Sequence, residues 1–234
     1  MSFRFANDKK IYGFNSRQEL LEFILPQKKI LIAVGVEKIL NKNNKLTQII
    51  NENVAYCDGV GSVMVLKKKG LNSIKIPGAE FWLDIVKECY NSKTFYLIGS
   101  KLEIINQVVS KLEKDFPGID ILNYRDGYFE DEDITEIEQD IKEKKPDIVF
   151  VALGSPKQEF LMSRFIKTHK ALYMGLGGSF DLYTGSVKEV PLFWKKIFRW
   201  EGLYRSFNDF KNIKRWKRQL IAFKFFYKLL TNKI

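Results

Sequence analysis

Little in this chain suits a metal site or a disulfide. Of 234 residues only one is histidine, His169, and only two are cysteines, Cys57 and Cys89. The cysteines lie far apart and fit no zinc or redox spacing, so a reduced, cytosolic protein is the simplest expectation. His169 follows a polar stretch and reads as a surface residue. Long apolar runs are missing too. The most apolar late stretch, Leu220 to Leu230, is interrupted by Lys224 and Lys228 and falls short of the roughly 20 residues that a bilayer span needs. Met1 to Lys10 is polar and charged, so no secretory leader is expected there. No G-x-G-x-x-G follows the first predicted strand, where Val34-Gly35-Val36-Glu37 stands instead; this ranks a dinucleotide-dependent oxidoreductase last. A D-x-D pair after a strand is also absent. The nearest match, Asp131-Glu132-Asp133, reads as an acidic helix start, where carboxylates suit the dipole.

What is present is apolar substance and unevenly placed charge. With 45% hydrophobic and 14% aromatic residues, the chain has enough to bury a real core and is not disordered. From Gly185 onward thirteen basic residues stand against three acidic ones, a charge of +10 out of +11 for the whole chain. A nearly neutral body with a basic tail implies that the tail meets something anionic: membrane, nucleic acid or pyrophosphate. After Pro191 apolar residues recur at steps of three and four, among them Trp194, Trp200, Trp216, Phe223 and Phe226, with Lys and Arg between them. That pattern is an amphipathic helix. The expected division is a catalytic body over 1–190 and a basic, membrane-associating appendage over 191–234.

The body alternates strand-like and helix-like segments. Strands are predicted at Lys29–Val34, Val54–Cys57, Thr94–Ile98, Ile119–Asn123, Asp147–Leu153 and Ala171–Met174, and helices at Glu37–Asn51, Glu80–Tyr90, Leu102–Phe116, Asp133–Lys144 and Gln158–Lys167. Ser16 and Glu19 form a capping box for an earlier helix. This rhythm predicts an α/β fold, a Rossmann-like, mostly parallel sheet with helices on both faces.

In such a sheet ligands bind at the carboxyl ends of strands. Four segments follow strands there: Asp58-Gly59-Val60-Gly61, Gly99-Ser100, Gly154-Ser155-Pro156-Lys157-Gln158-Glu159 and Gly175-Leu176-Gly177-Gly178-Ser179-Phe180-Asp181. Glycine lets backbone N–H groups approach phosphate oxygens, and a following helix N-terminus adds a favourable dipole. Singly, each glycine is better read as a tight turn. Four at equivalent strand ends favour a nucleotide-type site.

Asp58-Gly59-Val60-Gly61, Asp126-Gly127-Tyr128-Phe129, Pro146-Asp147, Leu153-Gly154-Ser155-Pro156-Lys157-Gln158-Glu159 and Gly177-Gly178-Ser179-Phe180-Asp181 resemble the ordered motifs of the WecG/TagA/CpsF glycosyltransferase family, and Trp200-Glu201-Gly202-Leu203-Tyr204-Arg205 resembles its closing motif. The resemblance runs from about Lys10 to about Leu220. It implies an inverting hexosyltransferase that moves N-acetylmannosamine or a related sugar from a UDP-sugar to an undecaprenyl-diphosphate-linked acceptor. By the same resemblance, the product is expected to feed cell-surface polysaccharide, and the enzyme is expected to work peripherally on the inner face of the membrane, without a metal or other cofactor. Nucleic acid is not an expected partner, and self-association is left open. The family's general base maps onto Asp58.

The residues themselves fit these roles. An inverting transfer needs one base to take the acceptor hydroxyl proton, and a carboxylate at a strand end, with glycines leaving room for substrate, is such a base; its plain alternative is a cap for the helix after Gly59. Gly59, Gly99, Gly154, Ser155, Lys157, Glu159, Gly177 and Gly178 are expected to line the substrates. Gln158 is expected to hydrogen-bond donor or acceptor, with a polar first-turn residue as its alternative. Asp181 is expected at sugar hydroxyls, with a turn role as its alternative. Asp126 is read as an Asx-turn before Gly127. Arg205, Arg215 and Arg218 are placed to neutralise UDP or the lipid diphosphate, against a solvated basic face that only attracts anionic lipid. One segment departs from the family: where T-x-N-P-E is usual, Ala33-Val34-Gly35-Val36-Glu37 stands, and Lys75 takes the place of a frequent arginine. Two further readings stay open, a nucleic-acid module using the basic aromatic tail and a non-catalytic member of the family.

Overall fold

The computed structural model describes residues 1–187, 213–231 and 234. Among these residues eight strands make one sheet: β1 (Phe3–Ala6), β2 (Lys9–Tyr12), β3 (Ile30–Val34), β4 (Val54–Cys57), β5 (Thr94–Gly99), β6 (Asp120–Arg125), β7 (Ile148–Ala152) and β8 (Leu172–Gly175). Their order is β1-β2-β4-β3-β8-β7-β5-β6. Every pairing is parallel except that of β1 with β2. The central strands are continuous apolar runs because both faces are covered; all five residues of β7 are buried.

Helices cover the two faces in separate sets. One face carries α2 (Val36–Leu40), α3 (Asn44–Glu52), α4 (Val60–Lys68), α7 (Asp133–Lys144), α8 (Lys157–Thr168) and α10 (Ile213–Leu230), whose buried residues share one core. The other carries α1 (Arg17–Ile24), α5 (Gly78–Cys89), α6 (Leu102–Asp115) and α9 (Ser179–Tyr183) around Trp82, Phe81, Phe150 and Phe180. The expected α/β architecture is therefore present. Half of the expected capping box forms: Glu19 N–H donates to Ser16 Oγ at 2.9 Å, whereas the Glu19 carboxylate accepts at 2.6 Å from the N–H of Asn15, one residue ahead of the cap.

Three local differences have clear causes. The charged opening stretch is an antiparallel hairpin, turned at Asn7 and Asp8 with φ of 47° and 67°, the left-handed pair that a two-residue hairpin needs. Its Lys9 is 2% exposed and spends its ammonium on the carbonyls of Asn7 and Asn41; burial lowers its pKa. The helix expected over Glu37–Asn51 is two helices, because Asn43 accepts from the Leu46 N–H and starts α3 afresh. The turn after Asp58 opens directly into α4, with Gly59 as its N-cap.

The boundary expected at 190–191 lies outside the described residues. Beyond it, α10 packs back onto the body: Phe225 is fully buried, Leu229 nearly so, and Lys68 Nζ donates to the Leu229 carbonyl. Leu220, Tyr227 and Leu230 stand exposed along the helix. Among the described residues no helix is long and apolar enough to cross a membrane.

Candidate active site

Asp58 leaves the end of β4, its N–H extending the ladder to the Val34 carbonyl at 3.2 Å. Oδ1 accepts from the Gly78 N–H at 2.8 Å. Gly78 is the first residue of α5, so the carboxylate sits at the positive end of a twelve-residue helix. Asp58 thus caps α5 and not α4, whose first turn is closed by Ser62 Oγ donating to the Gly59 carbonyl at 2.8 Å. Oδ2 accepts no hydrogen bond from the described residues. It faces Gly35, where a Cβ would stand 3.9 Å away. One carboxylate oxygen is therefore held and the other is available, on a half-buried side chain.

The groups around it stay neutral. Burial pushes the Cys57 thiol up to about 11. Burial, then the nearby Asp58 charge, drives the Tyr56 hydroxyl well above its ordinary value, and that hydroxyl finds no partner among the described residues. Lys75 lies in the loop just ahead of Gly78.

A second cluster gathers at β5. Gly99 has φ +129°, and a Cβ there would meet the Ala152 carbonyl oxygen at 2.3 Å, so strand packing by itself requires a glycine here. Ser100 carries the chain on with φ 59°. Its carbonyl accepts from Gly127 N–H at 2.8 Å, and its Oγ lies 3.3 Å from Asp181 Oδ2. Asp126 makes the expected Asx-turn, accepting from Tyr128 N–H at 2.7 Å, and holds Tyr128 out in solvent, 75% exposed. Lys157 is exposed with its Nζ 4.8 Å from the Phe129 ring centroid. Asp133 of the acidic run pairs with Arg125 at 3.1 Å and accepts from Glu130 N–H.

The G-S-P-K-Q-E segment behaves differently from expectation. Gln158 and Glu159 are 3% and 1% exposed and point into the protein. Gln158 Oε1 accepts from Gly154 N–H at 3.1 Å and from Gly177 N–H at 3.0 Å. Those two N–H groups, expected at phosphate oxygens, are spent on binding the β7 and β8 loops together. The glycines still matter for access: beside Gly59, Gly154, Gly177 and Gly178 nothing lies within 4 Å of where a Cβ would be. Ser155 is exposed at the same rim. Glu159 Oε1 pairs with Lys38 Nζ at 3.2 Å, a partner that sequence reading missed. The inward turn of Gln158 was signalled by its register with Leu161, Met162 and Phe165 on one helix face.

His169 is half-buried at the end of α8, with Nε2 2.8 Å from the Pro146 carbonyl oxygen, a structural role more defined than a surface residue's. Arg205 lies outside the described residues. Arg215 and Arg218 belong to the first half of α10, where only the backbone is described.

The helix after β5 covers one face of the sheet and the helix after its neighbour β7 covers the other. The loops diverge there, which makes the crevice between Ser100 and Gly154 the topological switch point, where open α/β sheets take their ligands. Asp58, after β4, stands three strands from β7 and four from β5 along the same edge, about 14–19 Å at the usual strand spacing. One edge thus carries Ser100, Gly154 and Gly177 toward one end and the half-held Asp58 carboxylate toward the other. The sequence matches the Glycosyl transferase WecG/TagA/CpsF family over residues 14–234. The chain belongs to this family and is a glycosyltransferase of cell-surface polysaccharide synthesis.

Proposed function

We propose that the protein transfers a hexose derivative, N-acetylmannosamine or a close relative, from a UDP-sugar to an undecaprenyl-diphosphate-linked acceptor with inversion at the anomeric carbon. The observation that carries this reading is the Asp58 carboxylate, anchored through Oδ1 by Gly78 and available through Oδ2. The nucleotide lies in the crevice by Ser100, Gly127 and Asp181, and the diphosphate and sugar extend across the open glycine rim toward β4. Oδ2 takes the acceptor hydroxyl proton as that oxygen bonds to the anomeric carbon. The bond from that carbon to the UDP oxygen breaks on the opposite side, and the departing diphosphate carries the negative charge away. General-base assistance of this kind supplies about 10²–10⁴-fold in rate.

Arg205, Arg215 and Arg218 neutralise the departing diphosphate or that of the lipid, the task a metal ion performs elsewhere. The basic tail, the appendage of residues 191–234, holds the enzyme on the anionic inner face of the membrane, where the acceptor's lipid keeps it. The test is a screen of UDP-sugars with a short-chain lipid-diphosphate acceptor, read by mass spectrometry. A product one hexosyl unit heavier supports the reading, and failure with every UDP-sugar rejects it.

A further inference from the structure

A chain of polar groups runs unbroken beneath the carboxyl ends of β3, β8 and β7. Lys38 Nζ donates to the Ala33 carbonyl at 2.9 Å and pairs with Glu159 Oε1 at 3.2 Å. That oxygen also accepts from Gln158 Nε2 at 3.1 Å. Gln158 Oε1 in turn receives the N–H groups of Gly154 and Gly177. Glu159 is 1% exposed and the Lys38 side chain 16%, so solvent screens the pair little. Glu159 Oε2 is buried with no partner among the described residues, which leaves Lys38 as the cation that offsets it.

An apolar pair of similar volume commonly stabilises a core as well as such an ion pair, or better. What the polar chain adds is directional linkage. Lys38 belongs to α2, whose N-cap Gly35 faces Asp58 Oδ2, while Gln158 grips the two loops along the rim. We propose that Lys38 and Glu159 are positioning residues for the transfer reaction. Through Gln158 they set the Gly154 and Gly177 loops at a fixed distance from the Asp58 carboxylate, so that the donor sugar meets the acceptor oxygen. The inference rests on the glycosyl-transfer reading. A displacement of about 1 Å between reacting groups is enough to cost roughly 10²-fold in rate.

The test replaces the pair with apolar residues, Lys38→Met with Glu159→Leu, and reads stability, kinetics and amide exchange together. The expected double variant melts within about 5 °C of the parent, with kcat down about tenfold or more and donor KM changed less than about threefold. Its Gly154 and Gly177 amides exchange faster by NMR. Glu159→Gln keeps an oxygen for both donors, so its kcat stays within about threefold of the parent and both amides stay protected. A double variant with parental kcat overturns the proposal. So does a Glu159→Gln variant that loses as much kcat as the double variant while its amides stay protected, since charge and not linkage is then at work. If the double variant does not fold, Lys38→Gln is judged by the same kinetic and exchange criteria. Exchange is read without substrate: a parent inactive with every UDP-sugar rejects the transfer reading, whereas parental exchange rates in the variants reject the strut.

Discussion

Gly78 and Asp58 hold each other in place. The Gly78 N–H donates to Asp58 Oδ1 at 2.8 Å. A Cβ on Gly78 would stand 3.5 Å from that oxygen and 3.1 Å from both the Tyr56 hydroxyl and Ala33 Cβ. The seat of the proposed base is therefore built from what neighbouring residues lack as much as from what they carry. It also separates the two oxygens by function, one fixed by a helix and one left to act.

That separation decides what Asp58→Asn does. The amide oxygen still accepts from Gly78 N–H, so the fold and its melting temperature change little. The group facing the acceptor can no longer take a proton, and the rate falls by about 10²–10⁴-fold. Thermal melts beside steady-state transfer assays check both halves. Turnover near that of the parent removes Asp58 from the mechanism.

Gly61 carries a packing constraint inside the same motif. A Cβ there would lie 2.4 Å from Val36 Cγ2 and 3.2 Å from Phe225 Cε1, so Gly61→Ala pushes α2 and α10 away from α4. Overpacking of this kind costs about 1–3 kcal/mol, and urea unfolding measures it. Limited proteolysis should cut the variant's C-terminal helix faster than the parent's. Unchanged cleavage and an unchanged midpoint mean that α10 does not pack on this turn in solution.

How much of this was legible depended on whether a signal was local. The strands from β3 to β8 were readable because a parallel sheet covered on both faces needs short continuous apolar runs, and Ile148–Ala152 is one. Asp58 was readable because it follows such a run and precedes glycines. The Asx-turn at Asp126 was readable because its acceptor and donor are two residues apart. The hairpin was not, since four-residue strands carrying Arg4, Lys9 and Lys10 do not show an apolar run. Neither was α4, where Gly59 and Gly61 conceal a helix start. The Lys38–Glu159 pair joins helices far apart in the chain, and only the assembled sheet brings them together.

Alkaline pH should weaken the fold in part through its cysteines. Burial, the leading cause in both, raises the Cys57 and Cys89 thiols from 9.0 to about 11. A thiol that ionises more easily unfolded than folded leaves stability intact below pH 9 and draws it down as pH climbs from 9 toward 11. The slope is at most about 1.4 kcal/mol per pH unit for each group. Buried tyrosines raised in the same direction, Tyr56, Tyr96 and Tyr173, extend the loss to higher pH. Urea midpoints at pH 8 and pH 10 should therefore differ less in Cys57→Ala than in the parent. Equal differences in the two proteins show that Cys57 does not titrate in this window.

The C-terminal helix presents two faces, and they should fail separately. Phe225 and Leu229 are buried against the body, so Phe225→Ala opens a cavity worth about 3–5 kcal/mol. Leu220, Tyr227 and Leu230 are 68%, 63% and 81% exposed, at the spacing of one helix stripe, with Lys224 and Lys228 among them. Exchanging all three for Gln removes little from the folded core and leaves the melting temperature nearly unchanged. It does remove most of the exposed apolar surface that a headgroup layer takes up, leaving Phe223, while the lysines keep their attraction for anionic lipid, about 1 kcal/mol each near the surface. Flotation with anionic liposomes should accordingly show the triple Gln variant binding more weakly, and more steeply dependent on salt, than the parent. Transfer to a water-soluble acceptor should stay near the parental rate in this variant, because the inner face still seats the helix. Removing residues 191–234 altogether should lose both liposome binding and soluble transfer, since it takes away Phe225, Leu229 and the three arginines proposed for the diphosphate. A truncated protein that folds, fails to bind liposomes and keeps full activity on the soluble acceptor reduces the tail to an anchor and strikes Arg205, Arg215 and Arg218 from the site.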